Sequence, residues 1–327
     1  MSNSDPGEGL AARQRASRQQ CAGAVLMIRP ASFDYNPETA ATNSMQQHGS
    51  GGAEAALEAC REFDRFVQAL SSEGVSVCVA ADTPDPPKPD AVFPNNWVSF
   101  HEDGTVVLYP MQALNRRRER RQEVIETVVA RLGFKVTRVL DLTRHENEGR
   151  ALEGTGSLIL DHVNRVAYAS VSPRTHPAVV EEWAREMGYE AVVFEARDRN
   201  GVPPYHTNVL MSVGDRVAVV GSAAIVERDR GRVLERLRAG GREVVEIGHE
   251  EIEHFGGNLL EVASWDEALG DCRVLVMSAT ARKALSPSAY ERLSGCTDAV
   301  LAVPVPTIER LGGGSVRCML AEVFLPA

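Results

Sequence analysis

The chain has 327 residues, 43% hydrophobic and 24% charged, an ordinary globular composition with enough length to bury a core without covalent staples. Its 35 basic against 45 acidic residues give a formal charge of −10, which argues against a nucleic-acid binder that works by neutralising phosphates. No run of about 18 apolar residues occurs, so no transmembrane helix is expected.

The first 22 residues are polar and aperiodic and read as a disordered tail, with a folded domain over 23–327. That tail has no apolar stretch of the kind a Sec signal needs, so the expected location is the cytoplasm. AVLMIRP (24–30) reads as a buried strand stopped by proline. The stretch 53–74 carries Ala56, Leu57, Cys60, Phe63, Phe66, Val67 and Leu70 at helical spacing and ends at Gly74. VSVCVA is a strand, and DTPDPPKPD (82–90) can only be a loop: a lid, or a long connection. NNWVSF and TVVLYP flank HEDG as a hairpin. A helix is expected from about Arg116 to Leu132, in which RRRERRQE (116–123) reads as a solvated face because acids interleave it. Strand KVTRVLDL follows.

The order then repeats. A hairpin turns at 162–164, a helix covers HPAVVEEWAREMGY, and EAVVFEA is its strand. HTNVLMSVG pairs with RVAVVG, followed by a helix over about 228–239 and strand EVVEIG. NLLEVASW, CRVLVMS and a helix from near Ser286 make another round, and AVLAVPVP and SVRCMLAEVFLP close the chain. Strand–strand–helix–strand is not the alternation of a Rossmann fold. It points to a radial α/β arrangement, with an ordinary α+β domain as the alternative.

Six cysteines are scattered with no CxxC and no Cys/His cluster at ligand spacing, so no metal site is expected. Four segments put polar residues into apolar, turn-bounded runs: FPNNW (93–97), LEGTGS (152–157), PPYHTN (203–208) and GGGSVRCM (312–319). Each stands where a hairpin strand begins, so a radial fold would converge Asn96, Glu153, His206 and Cys318. Glycines before Cys318 let backbone approach a ligand, and a thiol near an imidazole and a carboxylate is a nucleophilic set. Arg317 favours the thiolate if it points inward, and Arg29, Arg310 and Arg317 are candidates for a substrate carboxylate. Read singly, Cys318 is equally a small core residue, Glu153 a turn residue and Trp97 a core aromatic. Asn43 reads as a capped turn or a pocket residue, Asn258 as a pocket or turn residue, and His254 as a turn or surface residue.

Together these segments, with MIRPASFDYNPETAATN (27–43), YHTNVLMSVGDRVAVV and FGGNLLEV, resemble the guanidine-modifying, or pentein, superfamily, most closely its citrulline-utilisation, arginine deiminase-related branch. The resemblance implies a propeller of five ββαβ units with pseudo-fivefold arrangement. It implies a cysteine-dependent hydrolase with Cys318 as nucleophile, His206 as acid and base, Glu153 as its carboxylate, and no metal or organic cofactor. Asn96, Asn208, Phe33, Asn36, Trp97, Arg317 and Asn258 are the implied substrate contacts. The partner is a small arginine-related amino acid, and homodimerisation is left open. Arginine deiminases carry carboxylates where this chain has Asn96 and Asn208. Amides suit a neutral ureido group better than a guanidinium, which makes citrulline the expected substrate. The alternatives are an arginine deiminase or dimethylarginine hydrolase, then an amidinotransferase, and last a non-catalytic pentein binding protein.

Overall fold

The computed structural model describes residues 19–49, 51–266 and 270–325. Of the expected tail, 1–18 lies outside the described residues. Gln19 to Ala22 belong to the fold: Cys21 and Ala22 are buried, and Gln20 donates to Leu160 O at 3.0 Å and Val213 O at 2.9 Å.

Fifteen strands are described. In chain order they are β1 (Ala24–Arg29), β2 (Ser76–Ala81), β3 (Val98–Phe100), β4 (Thr105–Leu108), β5 (Arg138–Asp141), β6 (Ile159–Asp161), β7 (Val166–Ser170) and β8 (Glu190–Phe194). There follow β9 (Met211–Val213), β10 (Val217–Val220), β11 (Glu243–Glu246), β12 (Leu260–Asp266), β13 (Gly270–Ser278), β14 (Ala299–Val303) and β15 (Ala321–Val323). Three sheets of three strands, β6–β7–β8, β9–β10–β11 and β12–β13–β14, each consist of an antiparallel hairpin and a parallel third strand reached through helix. The six-stranded sheet β2–β1–β15–β3–β4–β5 holds two more such groups, β3–β4–β5 and β15–β1–β2. They are joined where β15 runs parallel to β3 at Val323–Phe100. The last group is assembled from both ends of the described chain. The strand–strand–helix–strand order expected from sequence is therefore present. A closed fivefold propeller is not established, since no closed sheet is found among the described residues.

The helices cover these sheets for the usual reason. Helix Gly52–Ser72 buries Ala55, Ala59, Phe63, Phe66 and Leu70, a stripe at three- and four-residue spacing. Each fully buried Phe of that stripe is worth ~1.5–3 kcal/mol in area removed from water. Helix Pro177–Met187 likewise buries Val179, Val180, Trp183 and Met187. The expected helix from Arg116 is in fact two pieces, a 3₁₀ turn Asn115–Glu119 and a helix Gln122–Leu132, with Arg120 extended between them. No described helix is long and apolar enough to cross a membrane.

One buried ion pair ties three groups together. Arg242 meets Asp161 in a fork, Nη1–Oδ2 2.6 Å and Nη2–Oδ1 3.1 Å, and its Nη2 also reaches Gln20 Oε1. Both side chains are under a twentieth exposed. Removing one partner strands a buried charge. Arg242→Ala is expected to lower unfolding free energy by ~3 kcal/mol, read from urea midpoints at constant m-value; a loss under ~1 kcal/mol would contradict this account.

Candidate active site

Five short segments end where the first strand of each group begins. They are the 3₁₀ turn Pro94–Asn96 before β3, the helical turn Gly154–Ser157 before β6, Thr207–Val209 before β9, the FGGN turn (255–258) before β12, and Val316–Met319 before β15. The turn at Gly154 packs against those at Pro94 and Thr207, and the Pro94 turn against that at Val316. Convergence of the sequence motifs thus follows from their common place at the start of a hairpin.

A cleft of about 250 Å³, its open mouth included, is lined by Asn43, Asp90, Asn96, Arg116, Arg174, His206 and Cys318, among others. Cys318 is buried, with two amides on its sulfur: Asn208 Nδ2 and Asn258 Nδ2, each at 3.4 Å. The glycine run reaches the cleft through a left-handed Gly313 at φ 62°, where a Cβ would fall 2.6 Å from Asn43 Nδ2. Tyr205 Oη donates to Gly313 O at 2.6 Å and pins that run to the start of the β9 group.

Glu153 is wholly buried. Burial alone would raise its carboxyl, but Arg174, the His206 hydrogen bond and Arg116 outweigh it and hold the group below its ordinary range. Glu153 Oε2 lies 2.7 Å from His206 Nε2, 3.6 Å from Arg174 Nη1 and 3.7 Å from Arg116 Nη1. Burial lowers His206, against the pull of Glu153, so the ring is neutral near pH 7. A carboxylate can only accept, so Nε2 carries the proton and Nδ1 is left bare. That Nδ1 stands over Gly156 beside Asn96 Nδ2; a Cβ on Gly156 would lie 2.7 Å from the first and 2.6 Å from the second.

Asn96 Oδ1 accepts from Arg116 Nη1 at 2.8 Å and its Nδ2 donates to Asn95 Oδ1 at 2.9 Å, which fixes the orientation of the amide. Arg116 itself is fully buried and forks onto Glu119 at 2.9 and 2.8 Å. The sequence RRRERRQE, expected to be a solvated helix face, thus sends one arginine into the cleft. The 3₁₀ turn that carries it is separate from the helix beyond, so the helical reading of that run does not apply. Asp90 and Arg174 line the cleft as well, and no motif marks either of them. The Pro-rich loop delivers Asp90: Lys88, fully buried, donates to Thr83 O, Thr83 Oγ1 and Pro86 O at 2.8–2.9 Å and pairs with Asp82 at 3.3 Å. Asp90 Oδ2 accepts from Asn36 and Thr39, while Oδ1 has no partner among the described residues.

Other expected contacts lie elsewhere. Trp97 is core, packed with Ile28 and Phe100. Phe33 is core beside Phe93. Asn36 caps the short helix Pro37–Ala40 and supports Asp90 from behind. Arg317 turns away from the sulfur to Leu320 O at 2.9 Å and Glu322 at 2.8 Å, because its neighbour on the 3₁₀ turn faces the cleft instead. Arg29 pairs on the surface with Asp64. Asn43, read as a turn or pocket residue, both caps its turn and lines the cleft. His254 is exposed and bonded to Glu250 O. No group of three or more potential metal ligands occurs among the described residues.

Comparison with known proteins places the chain in a family. No curated protein matches the chain. Among solved structures, the N-terminal domain of ArgZ, an arginine dihydrolase from the ornithine–ammonia cycle in cyanobacteria, bound to substrate, superposes with TM-score 0.70 at 18% identity over 93% of this chain and 98% of that one. Unliganded AgrE gives 0.71 at 18% identity, over 93% of this chain and 39% of its own. A dimethylarginine hydrolase (DDAH) from Pseudomonas aeruginosa, complexed with citrulline, gives 0.62 at 15% identity over 92% and 99%. These likenesses show the α/β fold of the pentein enzymes. Residues 29–325 match the profile described as N,N dimethylarginine dimethylhydrolase, eukaryotic. The chain therefore belongs to that family, within the guanidine-modifying pentein superfamily of C–N hydrolases.

Proposed function

We propose that this protein hydrolyses the ureido group of an arginine-related amino acid, citrulline foremost, through an S-carbamoyl enzyme on Cys318. The observation that carries the reading is one cleft holding a nucleophilic sulfur and a neutral imidazole whose tautomer is set by a buried carboxylate. In this reading the Cys318 thiolate attacks the ureido carbon, forming a C–S bond and a tetrahedral oxyanion. The C–N bond to the leaving nitrogen then breaks. His206 Nδ1 takes the proton that the Cys318 thiol gives up and delivers it to the departing amine as the bond breaks. The neutral ring next takes a proton from water, whose oxygen attacks the carbamoyl carbon and frees the sulfur. Glu153 stabilises the ring in its charged moments and holds its orientation.

The resident charges pair mainly among themselves. Asp90 already faces Arg116 at 3.7 Å, and Glu153 faces both Arg116 and Arg174. With Glu119, which Arg116 also forks, three buried carboxylates stand against two guanidiniums, so the neutral head group is argued from the amides Asn96 and Asn208 and not from a charge balance. Arg174 Nη1, 3.6 Å from Glu153, is the guanidinium nitrogen open to a substrate carboxylate, and Asp90 Oδ1 the oxygen open to its ammonium. A second reading has one observation in its favour. Asp90 Oδ1 is an unpartnered buried carboxylate oxygen in the cleft, a fit acceptor for a guanidinium, and the family profile is that of a methylarginine hydrolase.

Initial rates on citrulline, arginine and dimethylarginine separate the two readings: citrulline should turn over fastest, and faster arginine or dimethylarginine turnover would transfer the proposal to the guanidinium. Cys318→Ala should abolish turnover and leave the unfolding midpoint nearly unchanged; near-normal activity would remove the mechanism. His206 carries a pH signature too. Its folded pKa is lowered, so the unfolded chain binds a proton first, and the stability its neutral form contributes is full above about pH 6.5 and falls as pH drops below it. His206→Gln should therefore lose less stability than the parent between pH 7 and pH 5.5 in urea titrations; an identical slope would mean the ring is not buried neutral.

A further inference from the structure

The sulfur of Cys318 raises a question that His206 and Glu153 leave open: which donors meet it before substrate arrives. No imidazole or guanidinium nitrogen lies within hydrogen-bond reach of Sγ among the described residues; the donors recorded on it are the two amides. Of these, Asn258 is anchored at both ends of its side chain. Its Oδ1 accepts from Arg317 N at 3.1 Å, in the turn that carries the nucleophile, and its Nδ2 donates to Asn208 O at 3.0 Å as well as to the sulfur. Those backbone partners fix the amide's orientation, so it is an N–H that faces the sulfur.

The local backbone is built for this placement. Phe255 sits at φ 64°, a left-handed conformation costly for a bulky residue, and Asn258 N closes the turn onto Phe255 O at 2.9 Å. Gly257 lies flat on the strand entrance that bears Asn208: a Cβ there would fall 2.6 Å from Val209 O and 2.6 Å from Leu210 C. A strained residue and a position without room for a side chain bring one wholly buried amide onto one sulfur.

We propose that Asn258 is a catalytic residue of this enzyme, donating from Nδ2 to the Cys318 thiolate and, with Asn208, supplying the polar cradle that stabilises the sulfur anion in the substrate-free protein. The proposal rests on Cys318 being the nucleophile but not on which substrate is cleaved. A hydrogen bond to an ionised acceptor is stronger than one to a neutral acceptor, so the two amides favour thiolate over thiol. Asn258 also ties the Cys318 turn to the Asn208 turn, so the cradle forms only when the first strands of three groups are in register.

The test reads the sulfur alone. The full-length protein is alkylated with iodoacetamide across pH 6–10, and modification of the Cys318 peptide is followed by mass spectrometry, with Cys318→Ala as the blank. In Asn258→Ala the profile should move toward alkaline pH by about one unit, and the rate at pH 7 should fall about tenfold, the equivalent of ~1.4 kcal/mol. Asn258→Asp keeps the acceptor for Arg317 N and replaces the donor with a negative charge, so its profile should move further in the same direction. It serves if the alanine variant fails to fold. Unchanged profiles in the folded variants, or an aspartate profile displaced toward acid, would overturn the role of Asn258. A parent protein whose Cys318 stays unmodified throughout would instead overturn Cys318 as nucleophile, so the two failures read differently.

Discussion

A carboxylate with no access to water is tolerable only where positive charge and hydrogen bonds replace its hydration, and Glu153 is the group on which this constraint falls hardest. Two guanidiniums and an imidazole N–H answer it, and they arrive from three separate stretches of chain: Arg116 from a 3₁₀ turn, Arg174 from the connection after β7, His206 from the start of the β9 group. The same contacts decide the tautomer of His206 and the facing of Asn96. Loss of any one would leave charge buried without compensation. The electrostatics of the cleft and the packing of the hairpins around it are one problem with one solution.

The topology explains why distant residues can meet. Each strand–strand–helix–strand group begins with a turn whose backbone is irregular, and turns and loops, not the sheets, line the cleft. The helices and strands carry the apolar core, where Trp97 and Trp183 are fully buried. This division lets the reactive segments depart from regular geometry while the framework holds its own stability. Strand β15, only three residues long, follows the turn that bears Cys318 and pairs with both β1 and β3, so the sulfur is placed by the six-stranded sheet.

Much of this could be read in the chain itself, and the reason is local. Cys318, His206, Glu153 and Asn96 stand at abrupt changes from polar turn to apolar strand, a pattern visible within six residues. The order of hairpins and helices is equally legible, because periodicities of two and of three to four are short-range signals. Arg116, Arg174 and Asp90 were hidden for the opposite reason. Arg116 lies in a run of arginines whose charge pattern matches an exposed helix, and only the break at Arg120 lets it turn inward. Arg174 and Asp90 sit in loops without periodicity, and their partners are dozens of residues away. Arg317 and Trp97 show the converse: a residue next to a reactive position in sequence need not face the same way, since successive residues on a turn or strand point apart.

Lys88 has a practical bearing. It is one of only three lysines, and it spends its ammonium on four oxygens inside the loop that presents Asp90. Lys135 and Lys283, by contrast, are exposed. Among lysine side chains, tethering or dye coupling through amines would be confined to two handles that do not line the cleft, so the enzyme can be immobilised or tagged by that chemistry with its cleft left unmarked.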